Sequence, residues 1–94
     1  MKQLKNAYMD DFFKAVLTLE NVDECYKFFE DGCTVKELEA IAQRFTVAKM
    51  LTDKKVYSEI VDAVGASTAT ISRVNRSLSY GANGYELVFS RMEK

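Results

Sequence analysis

The sequence predicts an all-α domain, and three observations predict it. Proline is absent from all 94 residues, so nothing of that kind interrupts a helix. Glycine occurs only at positions 32, 65, 81 and 84, which leaves long stretches between helix-ending residues. Apolar residues recur at i, i+3 and i+4 rather than in strict alternation. With 48% hydrophobic residues, 29% charged residues and a net charge of -1, the expectation is one soluble helical domain spanning residues 1–94. A chain of this length buries roughly 60–70% of its unfolded surface, enough for one core without disulfide or metal staples.

The first helix is expected from Leu4 to Leu19, with Ala7, Tyr8, Phe12, Ala15 and Val16 completing its apolar stripe. Asn21 and Glu24 have capping-box spacing ahead of a short second helix that presents Val22, Cys25, Tyr26 and Phe29 and stops at Asp31-Gly32. Thr34 and Glu37 repeat that box at the start of the longest helix, whose apolar positions are Val35, Leu38, Ile41, Ala42, Phe45, Ala48 and Leu51. The polar run Thr52-Asp-Lys-Lys55 reads as a connection. Beyond it, Ile60, Val61 and Val64 carry a helix of about two turns that ends at Gly65. Ser67 then caps a fifth helix from Thr68 to Ser79 with Ile71, Val74 and Leu78 on its apolar side. The segment from Gly81 to Gly84 reads as a loop, and Tyr85, Val88, Phe89 and Met92 mark a sixth helix.

Composition narrows the chemistry. Histidine is absent, which removes the commonest metal ligand and the commonest general acid-base group near neutral pH. The fourteen acidic residues are interspersed with basic ones, as solvated helix faces require. The expectation is no catalytic residue, no metal and no cofactor. Cys25 and Cys33 are read as reduced thiols, since a stapled secreted domain usually carries more cysteines. No apolar run approaches the ~18 residues that span a bilayer, and the opening residues contain no apolar signal stretch. A cytoplasmic location without membrane attachment is therefore expected.

Two short helices separated by three residues, the first a glycine, have a geometric meaning: a left-handed backbone position lets the second helix cross the first steeply. That is the helix-turn-helix pattern, here over residues 57–79, with Ile60, Val61, Val64, Ala66, Ile71 and Val74 on the facing sides. Any tight helical hairpin shares part of this pattern, so the outward face of the fifth helix matters more. It carries Thr68, Ala69, Thr70, Ser72, Arg73, Asn75 and Arg76, with no acid among them. Small hydroxyl side chains near a helix N-terminus permit close approach to base edges, and the two arginines suit phosphates. Charge is also segregated. Residues 1–35 hold four lysines against seven acids, whereas residues 36–76 hold seven basic residues against five acids. A locally basic face can bind DNA on an acidic body. The expected DNA-contacting residues are Lys54, Lys55, Ser67, Thr68, Ala69, Thr70, Ser72, Arg73 and Arg76, and the expected partner is double-stranded DNA. The alternative for these side chains is plain solvation of a surface helix.

The run Gly65-Ala-Ser-Thr-Ala-Thr-Ile-Ser-Arg-Val-Asn-Arg-Ser-Leu78, preceded by Thr34-Val-Lys-Glu-Leu-Glu-Ala-Ile-Ala-Gln-Arg44, resembles the Trp repressor superfamily and more closely its YerC/YecD-type branch. The likeness extends upstream through Leu17-Thr-Leu-Glu-Asn21 and Glu24-Cys-Tyr-Lys-Phe-Phe29. It implies a six-helix Trp-repressor-like fold that forms an intertwined homodimer through helices one, two, three and six, and a sequence-specific transcriptional regulator. Phe12, Phe13, Phe28 and Phe29 agree with a partner chain, since they exceed what a short hairpin buries on itself; an ordinary monomer core is the alternative. The resemblance also implies an effector pocket at Thr34, Arg44, Arg73 and Ser77. Two departures count against tryptophan as the effector. Val74 stands where the tryptophan-binding members have glycine and is expected to intrude on the indole space, and the connection between helix three and the motif is one residue shorter. The alternative function is a helical dimerisation or interaction module that keeps this fold without reading DNA.

Overall fold

The computed structural model describes residues 4–93. Among the described residues six helices follow one another: α1 (Ala7–Val16), α2 (Val22–Gly32), α3 (Val35–Thr52), α4 (Tyr57–Val64), α5 (Thr68–Tyr80) and α6 (Gly84–Met92). The chain divides into two compact units, one ending at Val35 and the other beginning at Lys36.

In the first unit, α1 is shorter than the apolar stripe suggests. The Asn6 side chain accepts from the Met9 N–H at 2.9 Å, so the helix begins after Leu4 and not at it. At the other end the Thr18 hydroxyl donates back to the Ala15 carbonyl at 2.7 Å, and the Thr18 and Leu19 amides close tight turns onto Ala15 and Val16. A side chain that competes for helix carbonyls ends a helix whose periodicity would otherwise continue. α2 opens as expected, with Glu24 N–H donating to Asn21 Oδ1 at 2.9 Å, but the Glu24 carboxylate accepts from the Glu20 N–H rather than from the cap residue itself. Phe12, Phe13, Phe28 and Phe29 form one cluster with ring centroids 5.3–6.4 Å apart. Neither α1 nor α2 has a buried residue.

The second unit holds the core: Val47 and Ala48 from α3, Ile60 from α4, Ala66 from the turn, Ile71 and Val74 from α5, and Phe89 from α6. Tyr85 stacks on Phe89 at a centroid distance of 6.0 Å, and Phe45 meets it in a tilted arrangement at 5.3 Å. The apolar seam of α3 differs from the expected one. Val47, absent from the single i, i+3, i+4 stripe, is fully buried, whereas Ile41 and Val35 are exposed. The reason is that the C-terminal half of α3 is covered on more than one side, which a one-face pattern does not describe. Of the apolar residues expected on the sixth helix, Phe89 is buried while Val88 and Met92 are exposed, and Gly84 belongs to the helix rather than to the loop before it.

Candidate nucleic-acid interface

Three residues, Gly65, Ala66 and Ser67, join α4 to α5. Gly65 has φ +69°, the left-handed conformation that glycine adopts without a Cβ penalty, and its N–H closes α4 onto the Val61 carbonyl at 2.9 Å. Ala66 is buried at the corner, and the Ser67 hydroxyl accepts from the Thr70 N–H at 3.1 Å to cap α5. Gln43 of α3 donates to the Val64 carbonyl at 3.2 Å, tying the end of α4 to the long helix. The start of α4 carries a cap that the sequence did not advertise: the Val56 N–H donates to Glu59 Oε1 at 3.0 Å.

Ile71 and Val74 anchor α5 in the core, which turns its opposite side outward. Thr68, Ala69, Ser72, Arg73, Asn75 and Arg76 are exposed, and Thr70 is half-buried beside the Ser67 cap. Among the described residues, no ion pair engages Arg73 or Arg76, and the acids nearest in sequence to α5 lie outside the helix. Both guanidinium groups are thus available to an external anion. An open groove runs along this side, lined by Ala69, Ser72, Arg73, Arg76, Ser77 and Tyr80.

Lys54 and Lys55 are exposed immediately before α4. The chain leaves α3 through a Schellman closure, with Lys55 N–H donating to the Met50 carbonyl and Lys54 N–H to the Leu51 carbonyl, both at 3.0 Å. Lys54 holds the left-handed position of that closure at φ +68°.

The residues of the expected effector pocket lie on α5, on α3 and just before α3. Arg73 and Ser77 share the α5 groove, where the Ser77 hydroxyl donates to the Arg73 carbonyl at 3.3 Å. Arg44 is half-buried on α3 and does not line that groove, and Thr34 belongs to the other unit. Val74 is 2% exposed and packs in the core, and it does not line the groove that holds Arg73 and Ser77. An apolar side chain at this register of α5 follows Ile71 into the core because the two lie on one helical face. Among the described residues, no group of His, Cys, Asp or Glu could hold a metal ion, and no helix is long and apolar enough to cross a membrane.

Comparison with known proteins agrees with this architecture. The family model of the Trp repressor protein matches residues 7–93. The uncharacterized protein YerC of Bacillus subtilis is 44% identical over 92 residues, which cover 98% of this chain and 88% of that one. A crystal structure of a candidate Trp repressor from Staphylococcus aureus superposes with a TM-score of 0.92 at 50% identity, covering 96% of this chain and 90% of that chain. A TrpR-like protein from Eubacterium eligens superposes with a TM-score of 0.93 at 52% identity, covering 96% and 93%.

Proposed function

Because the chain belongs to the Trp repressor family, we propose that it is a sequence-specific, DNA-binding transcriptional regulator acting as a cytoplasmic homodimer. One observation carries this reading: the outward face of α5 combines small hydroxyl and methyl side chains with two arginines that no acid among the described residues neutralises. In this reading α4 and α5 form a helix-turn-helix. Ser67, Thr68, Ala69, Thr70 and Ser72 approach the base edges, Arg73 and Arg76 contact phosphates, and Lys54 and Lys55 clamp the backbone beside them. Residues 1–94 act as one domain whose apolar α1 and α2 are completed by the second chain. Two reading helices then lie about 34 Å apart and read a palindrome.

Tryptophan is not the effector in this proposal. Arg44 does not line the groove that holds Arg73 and Ser77, and Val74 stands where the tryptophan-binding members have glycine. Millimolar tryptophan is expected to leave the melting temperature unchanged, whereas a ligand at 100 times its dissociation constant stabilises by about 2.7 kcal/mol.

The decisive test is selection of bound fragments from random duplex DNA at defined salt, followed by titration of the selected site. The expected result is an enriched palindrome. Arg73→Ala and Arg76→Ala are each expected to weaken binding and to reduce the slope of log affinity against log salt by about 1. No enrichment, together with slopes unchanged in both variants, would leave the chain as a helical dimerisation module.

A further inference from the structure

We infer that the Tyr57 hydroxyl is a DNA-backbone donor and that Asn75 positions it, an inference that rests on the duplex-binding reading above. Tyr57 is the first residue of α4 and its ring packs against the core cluster, so one end of the side chain is fixed. The other end is fixed as well, because the phenol oxygen accepts a hydrogen bond from Asn75 Nδ2 of α5 at 3.4 Å. Neither the glycine turn nor the caps make this link between the two helices; it spans 18 residues of sequence.

A phenol has one proton to donate in addition to the lone pairs with which it accepts. Among the described residues, Tyr57 donates to nothing. The result is a rigidly held donor without a protein acceptor, at the start of the helix that follows Lys54 and Lys55. Asn75 sits at the margin of α5 between the core residues Ile71 and Val74 and the exposed Ser72 and Arg76. Tyr57 therefore links the start of α4, two residues after Lys55 in sequence, to the margin of the outward face of α5. In helix-turn-helix docking the first helix crosses the phosphate backbone while the second enters the groove. The chemistry that fits a lone hydroxyl donor there, on a helix that follows two lysines in sequence, is a phosphodiester oxygen. It would be held by a neutral hydrogen bond to a charged acceptor.

The test separates this contact from the charged ones. Tyr57→Phe removes the donor and retains the ring, and Asn75→Ala removes the positioning amide. In duplex titrations well below the melting temperature, Tyr57→Phe is expected to lower affinity about tenfold for selected and random duplexes alike. The slope of log affinity against log salt should stay at the wild-type value, because a neutral donor displaces no counterion. Asn75→Ala is expected to cost about threefold alone and nothing further when added to Tyr57→Phe, the coupling required of a residue that acts through another. Wild-type affinity in Tyr57→Phe would overturn the inference while leaving duplex binding intact. So would a flattened salt slope, which would trace the loss to displaced cations, or full additivity of the two variants. Absence of salt-dependent duplex binding by the wild-type protein would instead remove the parent reading, and this contact with it.

Discussion

Two residues hold left-handed backbone at turns flanking α4, and they are unequal. Gly65 at φ +69° has no Cβ to strain, and its place in the turn is readable from the sequence because glycine is the residue such a turn selects. Lys54 at φ +68° is not readable in that way, since lysine carries no signal for this conformation and lies in a run that reads only as polar. A non-glycine residue there costs about 1–2 kcal/mol, in a closure that glycine usually occupies. Lys54→Gly is accordingly expected to stabilise the fold by about 0.5–1 kcal/mol in urea unfolding, after the added chain entropy of glycine is subtracted. The same variant is expected to weaken duplex binding and flatten its salt slope by about 1, if Lys54 clamps the backbone as proposed. A less stable Lys54→Gly protein would show that the lysine side chain itself holds the turn.

At the scale of elements, the α4–α5 pair is held by complementary means, and most of them follow from local sequence. Ser67 caps α5, Gly65 closes α4, and Ile60, Ile71 and Val74 meet in the core. Ile71→Ala is expected to cost about 2–5 kcal/mol in chemical denaturation, because it hollows a fully buried site where α3, α4 and α5 supply the core. Ser67→Ala is expected to cost only about 1 kcal/mol, the usual worth of a helix cap. Equal losses would mean that α5 is held by its cap and not by its buried face. Other features of the elements were not legible. The early end of α1 depends on the Thr18 hydroxyl turning back to Ala15, a choice that periodicity does not register. The burial of Val47 depends on what surrounds α3, and the Tyr57–Asn75 bond joins residues whose proximity only the crossing of two helices creates.

At the scale of the molecule, burial is uneven. The described part of the chain encloses a core in its second unit, yet α1 and α2 contain no buried residue. Tyr8, Leu17, Val22 and Tyr26 are each more than 60% exposed, and Ile41 of α3 and Leu87 of α6 add further uncovered apolar surface. Apolar area of this extent on several helices is the pattern of a subunit surface. If two chains fold as one unit, stability must depend on protein concentration. A tenfold increase is expected to raise the melting temperature by about 3–5 °C, given the unfolding entropy of a dimer of this size. Sedimentation is expected to give a dimer, with Phe12→Asp dissociated or unfolded. A concentration-independent melting temperature and a monomeric sedimentation coefficient would sink the dimer.

The sequence alone determined which segments are helical, where the glycine turn falls and which side of α5 is polar, because each depends on neighbours within a turn or two of the chain. The tertiary structure decided the rest. It brought Tyr57 to Asn75, buried Val47 outside the single apolar stripe of α3, and left the apolar sides of α1 and α2 uncovered within one chain. Those outcomes are set by how helices cross and by how much surface one short chain can cover. Neither quantity is carried by the periodicity of any single helix.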